Sequence, residues 1–220
     1  MKKFVGNKIL LSIIIPYHRK KKFFHSTIKS ICIQTFKNYE VILIYDDNNY
    51  GEINFVKNQL KKIKNKKLII NKKILGPGLS RNIGIKYAKG KLIAFCDADD
   101  TWHKNKLSEQ IKFMAKNNLK FSHTSYNIIN YNGKKSGQFK IKEKLNYSDL
   151  LKCCDIGLST VIVEKKILNT SKFCNLKTKE DYYLWLKLVK KLKIIKGNKK
   201  YLANWRSLEN SLSSSKIQRL

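Results

Sequence analysis

Lys91-Leu-Ile-Ala-Phe-Cys-Asp-Ala-Asp-Asp100 decides how this 220-residue chain is read. The stretch is apolar from Leu92 to Cys96 and then stops on Asp97, Asp99 and Asp100, the pattern of a buried strand that delivers carboxylates to its end. Gly90 before it closes a helical stretch from about Leu79 to Ala88, which is entered through the loop Leu75-Gly76-Pro77-Gly78. Further upstream the same arrangement recurs. Ser12–Ile15 is a β-branched run closed by Pro16, and Glu40–Tyr45 runs into Asp46-Asp47-Asn48-Asn49. Between these strands, Phe24, Ile28, Ile31 and Thr35 recur at helical spacing, as do Ile53, Val56, Leu60 and Ile63, with another short strand at Lys67–Asn71.

Strands alternating with helices imply right-handed βαβ units. The expected fold class is α/β, a mostly parallel central sheet flanked by helices. Such sheets bind ligands outside the carboxyl ends of their strands, and here those ends carry Pro16-Tyr17, Asp46-Asp47 and Asp97–Asp100. The second half is less regular. It predicts a helix over His103–Lys116, a strand near Lys120–Ser125, a turn at Asn132-Gly133, a helix end at Leu150-Leu151 and a strand over Ile156–Val163. Thr178–Leu192 predicts an amphipathic helix, with Leu184, Leu188 and Leu192 on one stripe and Trp185 and Val189 beside it. A Ser-rich tail follows Asn210.

Length alone fits one domain. Apolar residues make up 42% of the chain and supply a core, which argues against disorder. The longest uncharged apolar runs fall short of the ~20 residues that cross a bilayer, and no small-residue cleavage site follows Ile9–Ile15 as in a signal peptide. The expectation is therefore a cytoplasmic protein. Five cysteines, odd in number and without a C-x-x-C pair, suit a reducing compartment better than a disulfide framework or a zinc site.

Lys and Arg number 47 against 15 Asp and Glu, a formal charge of +32, yet only Arg19, Arg81, Arg206 and Arg219 are arginines. A richness in lysine, asparagine and isoleucine is what codon drift in an AT-rich genome produces. Arginine forks that read base edges are scarce. An anionic membrane surface would attract such a chain at roughly 1 kcal/mol per nearby lysine or arginine.

Two acidic clusters at strand ends in so basic a chain carry the main functional signal. Hard cations such as Mg²⁺ or Mn²⁺ are held by one or two carboxylates together with substrate phosphates. The competing reading is a solvated Asp-rich turn that caps the next helix. Gly76-x-Gly78 lacks the third glycine of a dinucleotide fingerprint, and Gly84 to Gly90-Lys91 does not match a P-loop. His18, His25, His103 and His123 show no metal-ligand spacing and accompany no nucleophile motif. Thr178 and Asp181 have the spacing of a capping box, and Asp181 at a helix start beside Trp185 also has the setting of a general base.

Leu11-Ser-Ile-Ile-Ile-Pro-Tyr17 and Ser30-Ile-Cys-Ile-Gln-Thr-Phe-Lys-Asn-Tyr-Glu-Val-Ile-Leu-Ile-Tyr-Asp-Asp47 resemble the opening of glycosyltransferase family 2. Gly76-Pro-Gly-Leu-Ser-Arg-Asn-Ile-Gly-Ile85 and Gly90 to Trp102 continue the resemblance in order, strongly over Leu11–Ser125 and more loosely over Thr178–Leu192. The resemblance implies a GT-A (Rossmann-like) fold in a single domain over residues 1–220. About 9–125 would bind the nucleotide-sugar, about 126–205 the acceptor, and 206–220 would be a tail. It implies a metal-dependent, inverting transfer of one sugar to a lipooligosaccharide, capsule or O-antigen type precursor. In residue terms it implies Asp181 as catalytic base and Pro16, Tyr17, Asp46, Asp47, Arg81, Asp97 and Asp99 as donor-binding residues. Asp99 and Asp100 would hold a divalent cation, Mn²⁺ or Mg²⁺. The implied partners are a UDP-sugar, a glycan or glycolipid acceptor and the cytoplasmic face of an anionic inner membrane, with no nucleic acid. The chain departs from the family in reading Pro16-Tyr17-His18-Arg19, and in placing Asn48-Asn49 after the paired aspartates. The Gln-x-x-Arg-Trp signature of processive polymerases is absent. Two alternatives stay open on the sequence: a basic nucleic-acid-binding protein, and a catalytically degenerate GT-A scaffold.

Overall fold

Seven residues that are almost all apolar, Leu11–Tyr17, form strand β1 at the centre of the sheet's parallel half. β1 pairs in parallel with β2 (Tyr39–Tyr45) along its whole length, and with β4 (Leu92–Phe95) only as far as Ile14. Pro16 is tolerated because it lies beyond the doubly paired part of the strand. The computed structural model describes residues 9–154 and 156–208, so the Ser-rich tail expected after Asn210 lies outside the described residues.

Helix α1 (Lys21–Cys32) follows β1, α2 (Ile53–Leu60) links β2 to β3 (Lys66–Ile70), and α3 (Pro77–Tyr87) links β3 to β4. These crossovers are the βαβ units expected. The strand order is β3-β2-β1-β4-β9-β6-β10-β5, with β7 beside β6 and β8 beside β10. The first four strands are parallel. The sheet then turns mixed. β9 (Ile162–Glu164) is antiparallel to both β4 and β6 (Phe121–Ile129), while β10 (Ile195–Arg206) runs parallel to β6. The strand β5 (Thr101–Trp102), the pair β7 (Lys135–Phe139) and β8 (Lys144–Leu145), and helices α4 (Lys106–Lys116), α5 (Tyr147–Lys152), α6 (Lys165–Leu168) and α7 (Glu180–Leu192) complete the described chain.

Side-chain alternation on β1 divides the core. Ile13, Ile15 and Tyr17 pack with Phe24, Ile28 and Val56 on one face, and Ile14 packs with Ile44, Trp185 and Leu188 on the other. Gly84 lets α3 lie against the second face, because a Cβ there would come within 2.6 Å of Ile14 Cγ2. Gly90 is as tight and less forgiving, since a Cβ would sit 2.6 Å from the backbone nitrogen of Ser12, a neighbour that cannot yield.

The sequence expectations differ from the structure in several places. The strand expected over Ile156–Val163 is a short 3₁₀ turn at Leu158–Thr160 followed by β9. The strand near Lys120–Ser125 continues to Ile129. The twelve-residue β10 was not expected at all, because its lysines and asparagines mask the alternation, and two register shifts against β6 break its period. The expected tail boundary at residue 206 falls inside structure, for Arg206 ends β10 and is buried.

Candidate active site

The carboxyl ends of β1, β2 and β4 meet at one edge of the sheet, and the start of α7 joins them. The link is Arg81, on the second turn of α3. Its Nη2 donates to Asp97 Oδ1 at 2.7 Å and its Nη1 to Glu180 Oε1 at 2.6 Å, with the guanidinium stacked over Phe173. This buried clamp fastens the end of β4 to the first residue of α7 and brings Asp97 and Asp181 into one electrostatic neighbourhood.

Asp181 sits in the first turn of α7, where its Oδ1 accepts the backbone N–H of Tyr182 at 2.7 Å. Burial first, and then the like charge of Glu180, push its carboxyl up to about 6, against the opposing pull of Arg81. That value suits a group that takes up a proton near neutrality. The capping box expected from Thr178 is not formed. The helix starts at Glu180, and Lys179 before it lies in the left-handed region at φ +60° with no side-chain cap.

The turn after β4 is held from three sides. Thr27 Oγ1 donates to the Ala98 carbonyl, and Ser159 Oγ donates to Asp100 Oδ2 at 2.6 Å. The backbone N–H of Arg206 donates to Asp100 Oδ1 at 2.8 Å, and Arg206 Nε donates to the Asp99 carbonyl. Asp100 is buried with both oxygens satisfied, and burial beside Asp99 and Asp97 raises its pKa well above the ordinary value. In this arrangement Asp100 anchors the turn, its oxygens taken by Ser159 and Arg206. Asp99 differs. Its side chain is 13% exposed and its Oδ2 faces Lys20 Nζ at 2.7 Å. Burial raises its pKa, Lys20 lowers it, and Asp97 raises it again.

Three further candidates are bonded within the fold. Tyr17 is fully buried, stacked on Tyr45, with its hydroxyl donating to Glu52 Oε2. Asp46 accepts from Asn71 Nδ2 and from the backbone N–H groups of Leu75 and Gly76, each at 2.8 Å, and so shapes the glycine-bearing loop whose Gly76 sits at φ +86°. Arg81 is spent between two carboxylates. Asp47 accepts from the backbone N–H groups of Arg19 and Asn49, both at 3.0 Å, and its side chain is covered by the His18-Arg19 turn. Pro16 is half-buried at the end of β1. Sequence reasoning missed Lys20, Glu180 as the clamp's second carboxylate, Ser159 and Arg206. Glu180 stood next to the proposed base, whereas Lys20 was one lysine among many in the sequence.

Among the described residues no group of three or more His, Cys, Asp or Glu side chains could hold a metal ion. A cation seat nevertheless exists at Asp99, where one carboxylate already binds an ammonium. One carboxylate completed by phosphate oxygens and water is how Mg²⁺ is commonly held in phosphate-bearing sites, and the residues fit that mode.

The family model described as Glycosyl transferase family 2 matches residues 12–174. WfgD of Escherichia coli, a UDP-Glc:alpha-D-GlcNAc-diphosphoundecaprenol beta-1,3-glucosyltransferase, is 37% identical over 216 residues, which cover 96% of this chain and 82% of that protein. WfaP of Escherichia coli, which carries the same activity name, is 36% identical over 187 residues, 83% of this chain and 71% of that one. The crystal structure of S. aureus TarS 1-349 in complex with UDP-GlcNAc superposes with a TM-score of 0.77 at 23% identity. That match covers 94% of this chain, which spans 61% of the TarS chain, and it shows the GT-A fold. With the motifs, the strand-end carboxylates and these matches in agreement, the chain belongs to glycosyltransferase family 2 and is a glycosyltransferase.

Proposed function

We propose that this enzyme transfers one hexosyl unit from a UDP-sugar to a hydroxyl of a lipid-linked glycan precursor, with inversion, at the cytoplasmic face of an anionic membrane. The observation that carries the reading is the Arg81 clamp, which ties the strand-end carboxylate Asp97 to the helix start bearing Asp181. A donor held at the first is then within reach of a base at the second. UDP is favoured because WfgD and WfaP are named for UDP-Glc and the TarS structure holds UDP-GlcNAc. The lipid-linked acceptor is favoured by the diphosphoundecaprenol in the names of the same two relatives.

In this reading Pro16 and Asp47 border the nucleobase, Asp47 being reached when the His18-Arg19 turn shifts. Arg19, in the left-handed region at φ +49°, is the strained point of that turn. Asp97, partly exposed, meets the ribose or sugar hydroxyls. Asp99 would hold the divalent cation, which when bound supplies charge neutralisation to the departing diphosphate. Asp181 takes the proton from the acceptor hydroxyl as that oxygen bonds to the anomeric carbon. The bond from the anomeric carbon to the diphosphate oxygen breaks with its electron pair leaving on the diphosphate, so a single displacement inverts the centre. Buried Arg81 fixes both carboxylates and touches neither reactant.

Calorimetry of UDP tests the donor site. Binding in the presence of Mn²⁺ is expected to weaken at least tenfold in EDTA and in Asp99→Asn. A folded protein that binds neither UDP, GDP nor CMP with metal present sinks the reading and favours a degenerate scaffold. Among the described residues no helix is long and apolar enough to cross a membrane, so membrane contact would rest on surface charge. Co-sedimentation with anionic vesicles at low salt, reversed by high salt, is the expected result. Its absence removes the membrane part alone.

A further inference from the structure

Lys20 is the residue before α1, on the turn that leaves β1, and its ammonium lies 2.7 Å from Asp99 Oδ2. The two arginines at the Asp97–Asp100 turn are spent. Arg81 is divided between Asp97 and Glu180. Arg206 is buried, giving its Nε to the Asp99 carbonyl and its Nη1 to the carbonyls of Asn130 and Tyr131, with the guanidinium over Phe23. Lys20 differs in kind. Its side chain is 30% exposed, and among the described residues the carboxylate of Asp99 is its only ion-pair partner. A compact ammonium on a flexible four-carbon stem can change partners at little cost, which a planar, multiply bonded guanidinium cannot do.

We propose that Lys20 is a donor-binding residue that exchanges partners: it neutralises Asp99 while the site is empty, and moves to the donor's diphosphate when a divalent cation takes Asp99. This rests on the donor-site reading above. A divalent cation that takes the Asp99 Oδ2 now facing Lys20 repels the ammonium and competes with it for that oxygen. Metal binding therefore evicts Lys20. The evicted ammonium stays rooted beside Asp99, next to the phosphates that the cation brings with it. There it meets an unbalanced charge. A nucleoside diphosphate together with the Asp99 carboxylate carries more negative charge than one divalent cation cancels, and Asp97 adds to it. One ammonium reduces the excess, as lysine does at other phosphate sites.

The exchange makes metal and nucleotide cooperative. Metal alone must break the ion pair and gains nothing from the released lysine, whereas metal with diphosphate recovers that charge in a new contact. Removing the ammonium should therefore move two affinities in opposite directions. In Lys20→Met, Mn²⁺ alone, followed by the loss of its free-ion electron paramagnetic resonance signal, is expected to bind at least fivefold more tightly than in the wild type. UDP at saturating Mn²⁺, followed by calorimetry, is expected to bind at least tenfold more weakly. Lys20→Arg retains a cation and should lie between the two. Lys21→Met removes the same charge from the next residue, which is exposed and stands over Phe55. It should change neither affinity by more than twofold.

Any pattern in Lys20→Met other than opposite shifts overturns the exchange. Two weaker affinities would make Lys20 a structural part of the turn, and two unchanged ones would make the ion pair incidental. If the wild type binds UDP with Mn²⁺ and Asp99→Asn loses it while Lys20→Met behaves as wild type, the donor site stands and only the exchange falls. If the wild type itself fails to bind, both fall together.

Discussion

Asp181→Asn is expected to lower the transfer rate by two to four orders of magnitude and, at the same time, to make the protein harder to melt at pH 7.5. The loss follows from removing the base, a contribution of about 10²–10⁴-fold in such reactions. The gain follows from the carboxyl's titration. Burial, reinforced by Glu180, lifts it from 3.8 to about 6, so the folded chain prefers the protonated form. A group raised in this way contributes its full stability below the unfolded value near 4 and loses it as pH rises through 6. At pH 7.5 the wild type folds with an ionised carboxylate in a place that disfavours the charge. The amide carries none. After a discount for the side chain's partial contact with water, the difference is about 2 kcal/mol, or roughly 4–8 °C in melting midpoint for a chain of this size. It should vanish near pH 4. The wild-type kcat/KM should climb with pH to a plateau above about 6–7. A variant that melts at or below the wild-type temperature at pH 7.5, or keeps more than a tenth of the rate, removes Asp181 from the role.

Arg81→Met is expected to act in the opposite sense on stability. The buried guanidinium is the bridge between Asp97 and Glu180, and its loss leaves two carboxylates unpaired at the join between the halves of the molecule. Breaking a buried pair by removing one partner costs about 3–5 kcal/mol, which corresponds to a fall of about 10 °C in the melting midpoint. Arg81→Lys keeps the charge but cannot reach both carboxylates in fork geometry, and should recover only part of the loss. Thermal melts of the two variants beside the wild type decide the matter. If Arg81→Met melts within about 2 °C of the wild type, the clamp contributes little to holding Asp97 and Glu180 together.

The centre of the parallel half was legible because β1, β2 and β4 are largely apolar runs buried on both faces, each stopped by a proline or an aspartate cluster, whereas the edge strand β3 is largely exposed. Ile13–Ile15 and Ile42–Ile44 could hardly be anything else. The mixed half was legible only in part: α4, β6 and α7 could be read, but β10 carries Lys196, Asn198, Lys199, Lys200 and Asn204 within twelve residues and gains its place through pairing with β6, β5 and β8 rather than through its own pattern. The carboxylates of the site could be read as a set, but their duties could not. Asp99 and Asp100 are adjacent in sequence, yet one faces a lysine and the other is buried under Arg206 and Ser159. Only the arrival of residues from distant parts of the chain separates a carboxylate that can bind a ligand from one that holds a turn.

The hydrogen bond from Arg206 to Asp100 spans 106 positions of the chain, and the strand that supplies it inserts between β6 and β5. During synthesis the four parallel strands emerge first and can assemble from near neighbours, but the backbone N–H of Arg206 that Asp100 accepts arrives much later. Closing so long a loop is slow relative to local pairing. The nascent chain therefore passes through a stage in which its first half is built while its acidic turn is still loose, and a stop codon even a few residues before Arg206 would leave the whole parallel scaffold without a finished site.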